Sequence, residues 1–187
     1  VRSLAKSLAP FARSVIVLSE ANAILEFGKD DTRENYVYVD EMTREEGKQL
    51  LLKKGAHFTE EELQFIFDNL GTTPSRLIHL CMRVPGLETV QAYVARALTG
   101  AKFDLQAFPL QSLLSELKKH PDGVSMKVLY GKTDVKRHDV ELDSPNSVGP
   151  FLKAAGGNIV VYRLELGTYQ LLSTPHRVAL KTYEPLI

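Results

Sequence analysis

The chain has one cysteine, no tryptophan and no surplus of charge, with 23 Lys and Arg against 23 Asp and Glu in 187 residues. A single thiol, Cys81, cannot build a disulfide framework within the chain and argues against a cysteine-based zinc site. It fits an intracellular, reducing compartment, and within LIHLCM it reads as a small core residue. Balanced charge argues against binding polyanions or membrane surfaces through net charge and leaves only local basic patches. No apolar run approaches the roughly 18 residues of a membrane span, and no secretory signal is visible, so no membrane partner is expected. The five histidines stand at 57, 79, 120, 138 and 176. None forms an i, i+4 pair flanked by a carboxylate, so no metal site is expected. No Ser/His/Asp set stands out, although the members of a triad meet only in the fold. Finally, the pattern G-x-x-x-x-G-K-[ST], whose backbone and lysine cradle nucleotide phosphates, occurs nowhere.

What is present reads as short α/β material followed by helices. VRSLAKSLAPFAR (1–13) has helical spacing broken by Pro10. SVIVLS (14–19) is a β-branched run of the kind buried in parallel sheets, and YVYVDEM (36–42) predicts a second strand. The start at Val1, with a strand almost at once, suggests a piece of something longer. Thr43 with Glu46, and Thr59 with Glu62, have the capping-box spacing that opens a helix. The first helix would bury Leu50 and Leu51, the second Leu63, Phe65, Ile66 and Leu70, with Gly55 and Gly71 as stops. Thr73 and Pro74 predict the start of a third helix, and residues 85–101 a fourth. KFDLQAFP (102–109) reads as a connector. Helices over 110–120, over 124–131 and from Ser144–Pro145 onward are expected next. A hairpin turning at Leu166–Gly167 and a helix opened by Thr174 and Pro175 complete the chain. Helices followed by a two-stranded wing is the order of a winged-helix domain.

VIVLSEAN (15–22), YVYVDEMTREEGKQLL (36–51), GTTPSRL (71–77) and YRLELGTYQLLSTPHRVAL (162–180) together resemble the C-terminal half of a P-loop ATPase of the AAA+/STAND group, nearest to its archaeal-type members. The resemblance implies an α/β remnant of the nucleoside-triphosphatase core over 1–42, a four-helix lid over 43–101 and a winged-helix domain over 102–187, mostly α overall. It implies Ser19 or Asn22 as the sensor-1 polar group, Pro74 beside the adenine and Arg76 as sensor 2. It also implies that ATP with Mg²⁺ belongs to the intact protein. The phosphates would come from a P-loop segment preceding this chain or from a neighbouring subunit, so the chain alone is expected neither to hydrolyse ATP nor to bind it strongly. The acidic pair in VYVDE imitates a Walker B strand by letters, but it runs directly into a capping box and reads as the approach to the lid. Thr72 stands where the lid turn of the group has glycine. His176 lies near the place where some members of the group carry a histidine that reports on bound nucleotide. Arg33 is a candidate finger toward a neighbouring subunit.

Each of these has a plainer counterpart. Thr-Pro is sufficient reason for a helix start at Pro74 and Arg76, Ser19 can be a turn residue, and Arg33 a solvated one. A DNA-reading winged helix would use Asn146, Ser147 and Lys153 on its third helix and Arg163 on the wing. One lysine is thin for anchoring phosphates, which leaves a non-catalytic module binding DNA or a protein as the alternative.

Overall fold

The computed structural model describes residues 40–84, 86–125, 128, 159–163 and 166–185. Among these are six helices and a three-stranded antiparallel sheet, so the chain is mostly helical. The helices are α1 (Arg44–Lys53), α2 (Glu60–Leu70), α3 (Pro74–Arg83), α4 (Val90–Ala107), α5 (Gln111–Lys119) and α6 (Thr174–Thr182). The strands are β1 (Val124–Ser125), β2 (Val160–Arg163) and β3 (Thr168–Leu171), in the order β1-β3-β2.

Both expected capping boxes form. In α1 and in α2 the threonine hydroxyl accepts from the backbone of the glutamate three residues on, and that glutamate's carboxylate accepts from the threonine backbone. Leu51, Leu63, Ile66 and Leu70 are buried. Phe65, expected in this stripe, is 38% exposed, and Phe67 takes its place inside. Leu63, Ile66, Phe67 and Leu70 follow the i, i+3, i+4, i+7 spacing of one helical face, and Phe65 falls between its rows. Leu77 and Leu80 of α3 are fully buried against the same cluster, with Cys81 packed partly buried beside them.

Three expectations need correction. Residues 40–42 are not strand, so the second predicted strand does not extend to Met42. Helix α4 does not end at residue 101. Thr89 caps it by accepting from the Ala92 amide, and it continues through most of the expected connector to Ala107. The cause is its double burial. Val90, Tyr93 and Val94 belong to the first apolar cluster with α1–α3, while Ala101 and Leu105 belong to a second with α5, the sheet and α6. An uninterrupted helix lets one element contribute to both cores without exposing backbone groups between them. Lastly, the helix expected over 124–131 does not begin at Val124: Val124 and Ser125 form a strand, while Val128 is helical. Val124 pairs with Tyr169 and is buried in the second core, a place that suits its β-branched side chain.

The hairpin turns where expected. Tyr162 faces Tyr169 across β2 and β3, and their rings lie 4.8 Å apart, the kind of cross-strand aromatic pair that stabilises a sheet. Helix α6 lies along α4 and also touches α2, α5 and β3. No described helix is long and apolar enough to cross a membrane.

Candidate functional site: a carboxylate between two Thr-Pro turns

The turn between α2 and α3 contains Gly71, Thr72 and Thr73. Gly71 sits at φ 73°, ψ −164°, a backbone conformation essentially restricted to glycine. A Cβ there would lie 2.6 Å from both Glu41 Oε1 and Thr174 Oγ1, and closer still to Glu41 Oε2. The missing side chain therefore makes room for the Glu41 carboxylate.

Glu41 is one-quarter exposed and is held from both sides. From the α3 side it accepts from the Thr72 amide at 3.4 Å and the Thr73 hydroxyl at 3.3 Å. From the α6 side it accepts from the Thr174 hydroxyl at 3.0 Å, and Arg177 approaches to 3.7 Å. Thr73 is the N-cap of α3 yet makes no cap bond with its own helix, because its hydroxyl is turned to Glu41. A negative group near the starts of α3 and α6 is also where the helix dipoles favour one. Thr72 is buried and donates to the Met42 carbonyl, and its methyl packs close to Gly47 of α1. Thr72 thus fastens the stretch before α1 to the turn before α3.

Arg76 lies half-buried one turn into α3 and donates from Nη1 to the Leu70 carbonyl at 3.1 Å, capping the end of α2. Burial lowers the guanidinium pKa, and the opposing influences come from Glu41 and Tyr93. It remains a cation at any ordinary pH. Pro74 is exposed at the first turn of α3. A cleft of about 450 Å³ opens beside this junction, lined in part by Glu41, Arg44, Asp68, Gly71, Thr72 and Thr174.

On α6, His176 is buried. Its Nδ1 lies 2.6 Å from Ser173 Oγ and its Nε2 3.1 Å from Asp104 Oδ2 on α4. These three residue types do not make a hydrolytic triad. Ser173 is itself buried, and the ring atoms are reversed, since a triad places Nε2 at the serine and Nδ1 at the carboxylate. Burial lowers the pKa of His176 and Arg76 acts in the same direction, while Asp104 raises it.

Of the residues singled out from sequence, Pro74, Arg76 and His176 come to this one junction. Arg163 is on β2, paired with Asp40, so a nucleic-acid phosphate would have to displace that carboxylate. Ser19, Asn22, Arg33, Asn146, Ser147 and Lys153 lie outside the described residues. Among the described residues, no group of three or more His, Cys, Asp and Glu side chains could hold a metal. Sequence reasoning did not single out Thr73, Thr174, Arg177, Ser173 or Asp104 as contacts. One signal was available for several of them: the pattern Thr-Pro-x-Arg occurs at 73–76 and again at 174–177.

Comparison of the chain with family models, curated proteins and solved structures gave no match.

Proposed function

We propose that this chain is the lid and winged-helix side of an ATP-dependent switch, completed by a P-loop segment or a neighbouring subunit that brings the phosphates and Mg²⁺. The observation that carries this reading is the junction at Glu41. The Gly71–Pro74 turn of the helical half and the Thr174–Arg177 turn of the C-terminal half hold one carboxylate between them. A nucleotide reaching Pro74 and Arg76 would therefore bear on both halves at once, which is what a switch requires. In this reading α5, β1, β2 and β3 are the first helix, first strand and wing hairpin of the winged helix. The sheet order β1-β3-β2 supports it, because it places the short first strand beside the second strand of the wing. In the same reading residues 1–42 are the core remnant, of which only residues 40–42 are among the described residues.

Titration of MgATP into the chain tests the proposal. The expected result is no turnover and weak binding that Arg76→Ala reduces further. Steady hydrolysis by the chain alone would overturn the requirement for a separate P-loop. Binding that is indifferent to both Arg76→Ala and Pro74→Ala would remove the lid turn from the nucleotide site. Salt-dependent DNA binding lost on Lys153→Ala would favour the DNA-binding module instead.

A further inference from the structure

We propose that the seat of α6 on α4 is a proton-released latch, closed while His176 is neutral and opened when it is protonated. This inference stands apart from the nucleotide reading, because it rests on contacts within the chain.

The hydrogen-bond roles follow from the partners. His176 Nε2 faces the Asp104 carboxylate, which only accepts, so Nε2 carries the proton. In a neutral ring Nδ1 is then the acceptor, and the Ser173 hydroxyl donates to it. Adding a proton at Nδ1 takes that acceptor away. The Ser173 hydroxyl must turn its own proton elsewhere while buried, and an unplaced buried hydroxyl is costly. The new positive charge also sits in the first turn of α6, where the helix dipole disfavours a cation.

Burial is the largest influence on the ring, and the charges around it act in both directions. Asp104 of α4 favours the cation, whereas Arg76 of α3 opposes it. On α6 itself Arg177 is drawn toward Glu41, which also holds Thr174. Lys102 stands two residues from Asp104 on α4, and further pairs lie toward the other end of α6. Asp68 of α2 acts on Lys181, and Lys118 of α5 binds the Tyr183 carbonyl and Glu184. Strand β3, Thr168–Leu171, has no charged residue. Burial prevails over Asp104, and the pKa of the folded state lies below the ordinary value near 6.5.

A group whose pKa falls on folding stabilises the closed form above its unfolded pKa. That contribution is lost as pH drops from there through the folded value. Within that window the open population rises up to about tenfold per pH unit.

The test is hydrogen exchange of the full chain between pH 7.5 and 5, read as protection factors of the 177–182 amides after correction for intrinsic rates. The expected result is protection of α6 that falls with pH by up to about tenfold per unit while the α1–α3 amides hold theirs. His176→Gln should remove this pH dependence. Asp104→Asn should keep it but move its midpoint to lower pH, since the group that stabilises the cation is gone. A parallel loss in α1–α3 would overturn the latch, as would pH-independent protection of α6 in the unaltered chain. Should His176→Gln fail to fold, the Asp104→Asn midpoint decides alone, and an unmoved or raised midpoint refutes the proposal.

Discussion

Replacing Gly71 with alanine should be one of the most destabilising single-methyl additions in this chain. Two separate costs meet there. The backbone at φ 73°, ψ −164° is strained for any residue with a Cβ, at about 1–3 kcal/mol. The added methyl also claims the space of the Glu41 carboxylate and the Thr174 hydroxyl. Displacing Glu41 forfeits bonds to an ionised acceptor worth about 1.5–3 kcal/mol. The sum is about 2.5–6 kcal/mol, measurable as a lowered urea midpoint at unchanged slope. Gly55→Ala is the control, because Gly55 also has positive φ (76°) but nothing within 4 Å of its Cβ position. It should cost only about 1–2 kcal/mol. The steric part is isolated by repeating Gly71→Ala in a Glu41→Ala background, where the carboxylate is already gone. There the substitution should cost only backbone strain, giving a coupling of about 1.5–3 kcal/mol. Equal costs in both backgrounds, no larger than that of Gly55→Ala, would refute the account of Gly71 as the seat of Glu41.

Further outcomes follow from the same contacts. Leu70→Ala or Leu114→Ala, each at a side chain with no exposed surface, should cost about 2–5 kcal/mol in denaturant unfolding. Arg44→Ala breaks the 2.5 Å pair with Asp68, but both side chains are about half exposed, so less than about 1 kcal/mol is expected. Burial raises the pKa of the fully buried Tyr169 far above the ordinary value, with a smaller push from Tyr162. Its contribution to stability is complete below pH 10 and is lost as pH rises beyond it, so Tyr169→Phe should flatten the alkaline fall in stability. Burial also raises the pKa of the Cys81 thiol, so the native chain should react with a disulfide reagent at pH 8 more slowly than the unfolded chain does.

The helical half was legible because its signals are local. A capping box is closed within three residues by the atoms that define it, and it forms at both Thr43 and Thr59. The stops at Gly55 and Gly71 and the Pro74 start are equally short-range. Phe65 and the connector over 102–109 were misjudged because their fate depends on what lies opposite. A stripe of apolar residues fixes a face only to within one helical row, and nothing near residue 101 announces that α4 is shared by two cores.

The junction at Glu41 was legible in part. GTTPSR could be recognised as a turn opening a helix, and Arg76 as its cation. Its partners could not be assigned from sequence, because Glu41 precedes Thr72 by 31 residues and Thr174 follows Glu41 by 133.

By itself, then, the sequence determined where α1, α2 and α3 begin and where α1 and α2 stop, and that a single thiol and balanced charge leave no disulfide within the chain and no net-charge chemistry. Those properties are set by composition and by interactions within a few residues. The tertiary structure decided that α4 spans two cores, that Val124 joins a sheet, and that the two Thr-Pro turns close on one carboxylate. It also decided that His176 is buried against Asp104. These follow from contacts between residues far apart in the chain, whose value depends on burial and on the direction of each donor, and neither is written in the order of the letters.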